Sequence, residues 1–324
     1  MLAIKLCSMF RSRGHIVYFY GIEDAEVSAS KIVDVIAKND YDEVSRVSND
    51  FKDPRYMTGL PVLSEGKQKI IDNFAKNLQI KLHAYYTPGD VVLHIADCIP
   101  EDHYFKKMIH IEALAMGGNI YNSNVIFITE PYRQYQYKKY ETLIKNSTVI
   151  LPWFNPNDYK IGKKKDDTYL YLARCGKCKG LDTYLNISKE FPDRKFLIAG
   201  GVVEYNKKRN IIVDDENNKI HLNDYPNVKY MGIVDAKQRK ILLSRVSLLI
   251  QPTKYFEPCG WNVIEAMLSG TPVIVPLKGG FCQTVIHGAT GFFCNVYQDY
   301  ITYLERRSYK TLIPEHIRDY AITN

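Results

Sequence analysis

Between residues 246 and 275 the chain spells out a strand, a loop, a helix and a second strand, and no other stretch limits its fold as tightly. The run Val246-Ser247-Leu248-Leu249-Ile250 is short and apolar and stops at Gln251-Pro252-Thr253, which predicts a buried strand. Residues 260–269 have the pattern of a helix, halted by Gly270 with Pro272 just beyond. A second apolar strand is expected over 272–275. Strands joined in this way pair in parallel, and ligands of parallel sheets sit in the crevice beyond the strand C-termini. Glu257 then falls in the loop at the strand's exit, and Glu265 lies one to two turns into the helix.

That placement suits a nucleotide-sugar. Unpaired amides at the helix start, near Trp261 and Asn262, can receive a diphosphate. A carboxylate only accepts hydrogen bonds, and vicinal sugar hydroxyls are donors that match it. Two carboxylates flanking a phosphate-binding turn can read a sugar at one end and a ribose at the other. An isolated pair has a plainer reading, as a loop residue and a helix-dipole partner worth a fraction of a kcal/mol.

The pair is not isolated. E-x7-E with Pro258 after the first Glu, followed by Glu265-Ala266-Met267 and Gly270-Thr271-Pro272-Val273-Ile274, resembles the retaining glycosyltransferases of family 4. Other matches follow in order. Tyr169 to Ala173 is a strand leading to Arg174 and, five residues on, Lys179-Gly180, similar to the family's G-R-x-x-x-x-K-G loop with Ala173 in place of Gly. Lys195 to Gly201 resembles the next strand and its Gly turn, and Val228 to Val234 the strand and loop that face the base. Gly279-Gly280 with Thr290-Gly291-Phe292 resembles the closing segment. The matches span about residues 168–294.

The resemblance implies an α/β protein of GT-B fold: two Rossmann-like domains, at 1–150 and 151–324, whose parallel sheets face an interdomain cleft. It implies transfer of a sugar from a nucleoside-diphosphate sugar to an acceptor hydroxyl on a glycan, glycoprotein or glycolipid, with retention and no protein nucleophile. Arg174 and Lys179 would offset charge on the departing diphosphate, Arg174 bidentately and Lys179 as a point charge, so no metal or other cofactor is expected. Glu257 would orient the donor sugar and Glu265 the ribose. Donor contacts are implied for Gly201, Val234, Cys259, Gly260, Trp261 and Asn262. The alternative is a non-catalytic nucleotide-sugar-binding protein or inactive fragment with the same donor domain; product formation separates the two.

Composition sets limits. With 324 residues, 46% apolar and 24% charged, the chain suits two globular domains. A formal charge of +7 is compatible with a phosphate-bearing ligand or a weak attraction to an anionic membrane. Lys163-Lys164-Lys165, followed by Asp166-Asp167, reads as a solvated loop. No apolar run is as long as a membrane span, and the charges near the N-terminus follow the apolar patch, the reverse of a secretory signal. Residues 1–13 read as an amphipathic helix. Seven scattered cysteines suit free thiols in a reducing, cytoplasmic compartment. Cys175 and Cys178 have metal-ligand or redox spacing, but no second CxxC exists. No strand-linked G-x-G-x-x-G points to a dinucleotide enzyme, and no recognition motif points to nucleic acid.

In the first half, Arg13 to Gly21 predicts a helix end and then a strand, and further strands are expected at 90–97, 125–130 and 148–152. Residues 22–80 carry few signals. His94 and Asp97, at a strand exit, are candidates for acceptor binding or deprotonation, against the plainer reading of a satisfied structural His. Glu130 and Arg133 are a second acceptor-side pair. Two departures from the family stand out. The leading strand and Gly-rich turn are absent before the first helix, and little room follows Tyr320 for the usual crossing helix, so truncation at both ends is expected. The family's acidic residue after Gly279-Gly280 appears as Gln283.

Overall fold

The computed structural model describes residues 2–41, 65–95, 109–115, 120 and 122–324. They form two compact units. One holds the described residues of 1–127 and 137–150, the other residues 128–136 and 151–324.

The first unit opens with helix α1 (Leu2–Ser12), as the sequence predicts. Gly14, at φ +85°, turns the chain out of it, a left-handed conformation that costs glycine little. Strands β1 (Tyr18–Ile22) and β2 (Lys31–Ile36) pair in parallel. Helix α2 (Glu65–Tyr85) packs Leu78 and Leu82 on Val35 of β2, with Tyr20 and Val92 at the edge of the same cluster. A separate parallel sheet runs β3 (Val91–Ile95), β4 (Ile109–Ala115), β5 (Asn124–Phe127) and β6 (Asn146–Val149). The strand expected over 125–130 stops at Phe127, because Glu130 instead opens helix α3 (Glu130–Tyr140). The strand expected at 148–152 starts two residues earlier and ends three residues earlier. Asp97 lies outside the described residues.

The second unit is built on β7 (Asp166–Leu172), α4 (Leu181–Glu190), β8 (Lys195–Ala199), an antiparallel excursion β9 (Glu204–Asn206), β10 (Ile211–Val213) and β11 (Lys219–His221), then β12 (Val228–Tyr230). It continues with α5 (Ala236–Arg245), β13 (Val246–Ile250), α6 (Trp261–Leu268), β14 (Val273–Pro276), α7 (Phe281–Thr284), β15 (Gly291–Cys294), α8 (Tyr297–Glu305) and α9 (Pro314–Thr323). Its parallel sheet is ordered β12-β8-β7-β13-β14-β15.

Both faces of this sheet are covered. Tyr169, Tyr171, Phe196, Ile198, Leu248 and Ile250 pack toward α4 and α8, while Leu170, Leu172, Leu249, Val273 and Val275 pack toward α5, α6 and α9. A strand buried on both sides has no polar face to alternate with, which is why these strands read as unbroken apolar runs.

Lys165 is a correction. It is half-buried rather than solvated, and its ammonium donates to the Ser269 carbonyl at 3.0 Å and to the Thr271 hydroxyl. Burial lowers its pKa to about 8. The turn after α6 offers it a carbonyl and a hydroxyl oxygen in place of water.

Candidate active site

Strand order reverses direction between β7 and β13, the two central neighbours, and in open α/β sheets the loops beyond such a switch point frame the ligand site. Arg174 and Lys179 follow β7, and Glu257 follows β13. The structure brings two of the three into contact. Lys179 Nζ lies 2.9 Å from Glu257 Oε2, and both side chains are largely buried. Tyr255 completes the group: its hydroxyl donates to Glu257 Oε2 and also meets Lys179 Nζ. The ammonium stands 4.4 Å from the Tyr255 ring centroid.

The Glu257 loop is held from behind by glycines. Gly280 N donates to the Glu257 carbonyl at 2.7 Å, and a Cβ on Gly279 or Gly280 would collide with the backbone of residues 257–259. From the other side, Thr129 Oγ1 donates to the Pro258 carbonyl at 2.6 Å and Glu130 N to Gln283 Oε1 at 2.7 Å. Gln283 thus fastens the start of α3 to α7.

Arg174 has a partner that the sequence did not suggest. Its Nη1 is 3.8 Å from Asp215 Oδ2, a carboxylate delivered by the β10–β11 turn. Asp215 is buried, its Oδ1 has no hydrogen-bond partner, and a Cβ at Gly176 would strike it. Burial pushes this carboxyl up, and Arg174 pulls it partly back. Cys178 Sγ lies 4.0 Å from Asp215, while Cys175 is fully buried; both thiols are free and raised by burial.

Helix α6 starts at Gly260, whose φ of +81° and contact with the Phe281 ring leave no room for a side chain. Trp261 meets Phe154 edge to face at 5.5 Å. The Asn262 amide group donates to the Leu172 carbonyl at 2.7 Å and to Gln251 Oε1 at 2.8 Å, tying the ends of β7 and β13 together. Cys259 is buried, and burial, then Glu257, pushes its thiol up to about 12. Gly201 accepts from Cys175 N at 2.7 Å and so borders the Arg174 loop. Val234 packs into the core beside α5.

Glu265 stands apart from Glu257. It is 4% exposed, and its Oε1 accepts from Tyr159 Oη at 2.8 Å and pairs with Arg239 Nη2 at 2.9 Å. Burial raises its pKa, opposed by Arg239 and Tyr159. Tyr159 and Arg239 lie far from Glu265 in sequence, and no local motif announces either.

His94 does not stand in an open strand exit. It is buried within β3, and its Nε2 shares a 2.7 Å hydrogen bond with His110 Nδ1. Burial, reinforced by His110, lowers its pKa to about 4. A neutral imidazole already paired is the satisfied structural histidine, and this geometry carries no catalytic role for it.

Residues 155–309 match the family model described as "Glycosyl transferases group 1". The chain carries a group 1 glycosyltransferase domain. Over 134 residues it is 30% identical to an alpha-1,3/1,6-mannosyltransferase of Dictyostelium discoideum, covering 41% of this chain and 26% of that one. Over 139 residues it is 28% identical to an uncharacterized 41.2 kDa protein in the cps region of Klebsiella pneumoniae, covering 43% of this chain and 35% of that one. These matches therefore span about a third or less of the curated relatives.

The fold is that of GT-B glycosyltransferases. Sucrose-phosphate synthase from Thermosynechococcus elongatus superposes on 99% of the chain and 88% of its own, with a TM-score of 0.67 at 15% identity. A glycosyltransferase from Rickettsia africae covers 99% and 89%, with a TM-score of 0.65 at 14% identity. The Anabaena protein HepE, solved with UDP-glucose, covers 77% of each chain with a TM-score of 0.58 at 16% identity. Among the described residues, no helix is long and apolar enough to cross a membrane.

Proposed function

We propose that this chain is a retaining glycosyltransferase that moves a sugar from a nucleoside-diphosphate sugar to an acceptor hydroxyl on a glycan, glycoprotein or glycolipid. The observation that carries this reading is the Lys179–Glu257 pair at the switch point of the group 1 domain. Glu257 Oε2 is engaged by Lys179 and Tyr255, and Oε1 is the oxygen that would accept from a donor-sugar hydroxyl. Arg174 and Lys179 supply positive charge where the C1–O bond to the diphosphate breaks. The acceptor oxygen bonds to C1 on the face the diphosphate leaves, and the acceptor's proton passes to the departing phosphate oxygen. With two cations and the α6 amides in place, the reading needs no metal, and EDTA is expected to leave the rate unchanged. Glu265, fixed by Tyr159 and Arg239, would hold the ribose. Free thiols at the described cysteines suit a reducing cytoplasm.

The test is a melting-temperature screen of UDP-, GDP- and ADP-sugars, followed by NMR of the product's anomeric configuration. One base should stabilise the fold, by about 2.7 kcal/mol at a hundredfold excess over Kd. Lys179→Ala should weaken that binding by about 1.5–3 kcal/mol. Glu265→Ala should weaken free nucleotide as well, whereas Glu257→Ala should spare nucleotide and abolish turnover. Stabilisation by none of the donors would end the proposal. Binding without product would leave a nucleotide-sugar-binding protein in its place.

A further inference from the structure

Among the described residues, Glu265 is held by one of its two oxygens. Tyr159 Oη donates to Oε1 at 2.8 Å, and Arg239 Nη2 stands 2.9 Å from the same atom. No hydrogen bond from the described residues reaches Oε2, and Oε2 is not one of the buried polar atoms left without a partner, so it keeps an opening to solvent. Arg239 Nε, by contrast, is buried and has no partner.

This is an incomplete use of a guanidinium. Arginine pairs best with a carboxylate through two parallel N–H bonds, one to each oxygen. Arg239 offers one nitrogen, and its orphaned Nε forgoes a bond that buried polar groups rarely lack. The gain is a carboxylate with one oxygen fixed and the other unoccupied, on a residue only 4% exposed. Its surroundings are braced. Lys240 pairs with Asp158 at 3.1 Å and lies 5.4 Å from the Tyr159 ring centroid. Arg318 donates through Nη2 to the Pro156 carbonyl at 2.7 Å and through Nη1 to that of Leu268, so the segment before Tyr159 is tied to the end of α6. Burial favours the neutral form of Glu265, and Arg239 is the foremost influence against it, ahead of Tyr159 and Lys240.

We propose that Arg239 and Tyr159 are positioning residues that set the site's preference for ribose over deoxyribose, by holding Glu265 Oε1 and leaving Oε2 to accept from a ribose hydroxyl; this rests on the glycosyltransferase reading above and its assignment of Glu265 to the ribose. A purely structural pair would engage both prongs of the guanidinium and close Oε2. An ionised carboxylate only accepts, and the vicinal ribose hydroxyls are donors. A hydrogen bond to a charged acceptor contributes more than one to a neutral acceptor. The charge that Arg239 preserves is therefore felt by a nucleotide with both hydroxyls and not by one that lacks the hydroxyl concerned.

The experiment is calorimetry on the whole chain with UDP, GDP and ADP and the 2′-deoxy and 3′-deoxy form of each, at pH 6, 7.5 and 9. In wild type, one ribonucleotide should bind about ten- to a hundredfold tighter than at least one of its deoxy forms. Arg239→Met should shrink that preference to within about threefold at pH 6, with deoxy affinity unchanged. The preference should return toward pH 9, because without Arg239 the buried carboxyl ionises only at higher pH. Arg239→Lys keeps the charge and should retain most of the preference, and Tyr159→Phe should lose part of it. Equal weakening of ribo and deoxy forms in Arg239→Met and Tyr159→Phe would make the pair structural and overturn the inference. A preference that survives Arg239→Met would overturn it too, as would a wild type with no preference that still binds nucleotide. Should Arg239→Met not fold, Tyr159→Phe decides by the same comparison. Binding of none of these nucleotides would defeat the donor reading itself, and this inference with it.

Discussion

The two units bury their residues differently. In the second unit, six parallel strands are sandwiched between helices, and Leu249 at the centre is 0% exposed. In the first unit the described strands form separate sheets of two and four. Val91 and Ile109, cross-strand partners in β3 and β4, are 53% and 52% exposed, while His94, His110 and Glu112 are buried. The site-bearing loops stand on the sheet whose core is saturated with apolar contacts. A rigid base lets short loops hold charged groups within hydrogen-bonding distance of each other, as Lys179 and Glu257 are.

The largest expected contrast is in stability. Leu249→Ala should cost about 2–5 kcal/mol through lost packing and the cavity left behind, while Val91→Ala should stay within about 0.5 kcal/mol. Both tryptophans, Trp153 and Trp261, lie in the second unit. Denaturant unfolding followed by tryptophan fluorescence therefore isolates that unit, and circular dichroism follows the whole chain. Equal costs for the two substitutions would erase the contrast.

Acid should weaken the first unit selectively. The folded-state pKa of His94 lies near 4, depressed by burial and then by His110, so the unfolded chain takes up the proton first as pH falls. The contribution is whole above about pH 6.5 and drains away toward about pH 4, on the order of 1–3 kcal/mol. His94→Gln should flatten this slope in circular-dichroism melts at pH 7 and pH 5. A slope carried equally by the tryptophan signal would place the sensitivity elsewhere.

The smallest effect sharpens the second unit itself. If Arg174 binds the diphosphate as proposed, Asp215 competes for it, and removing the Asp215 charge should tighten UDP binding by about two- to tenfold. Because burial raises the folded pKa of Asp215, its ionisation costs stability as pH rises through that value. Asp215→Asn should therefore not destabilise the fold at pH 7. Weaker UDP binding in calorimetry would mean that the carboxylate positions Arg174 instead of competing for it.

Legibility followed the same division between the units. Val246–Ile250 was readable as a strand to the residue, and Gly270 with Pro272 marked the end of α6, because a fully buried strand and a glycine-stopped helix leave local signatures. The short antiparallel strands β9 to β11 and the strands β2 and β4 left no comparable run. Lys165 was misread because a lysine among lysines looks solvated until the Ser269 carbonyl and Thr271 hydroxyl of a distant turn are placed against it. His94 was legible as a histidine on a strand, but its partner His110 belongs to the neighbouring strand.

By itself, the sequence determined the local elements of the second unit and singled out the four residues proposed to meet a nucleotide-sugar: Arg174, Lys179, Glu257 and Glu265. Turn signals and apolar runs act over a few residues, so they can be read in order along the chain. Which of these residues meet was decided by strand order and by the course of the segments that connect the strands. Setting β7 beside β13 joins Lys179 to Glu257 across 78 positions, and the return of the chain after β6 brings Tyr159 to Glu265 across 106. The β10–β11 turn places Asp215 against Arg174. These contacts depend on the register of strands far apart in sequence, which is settled only when both faces of the sheet are packed.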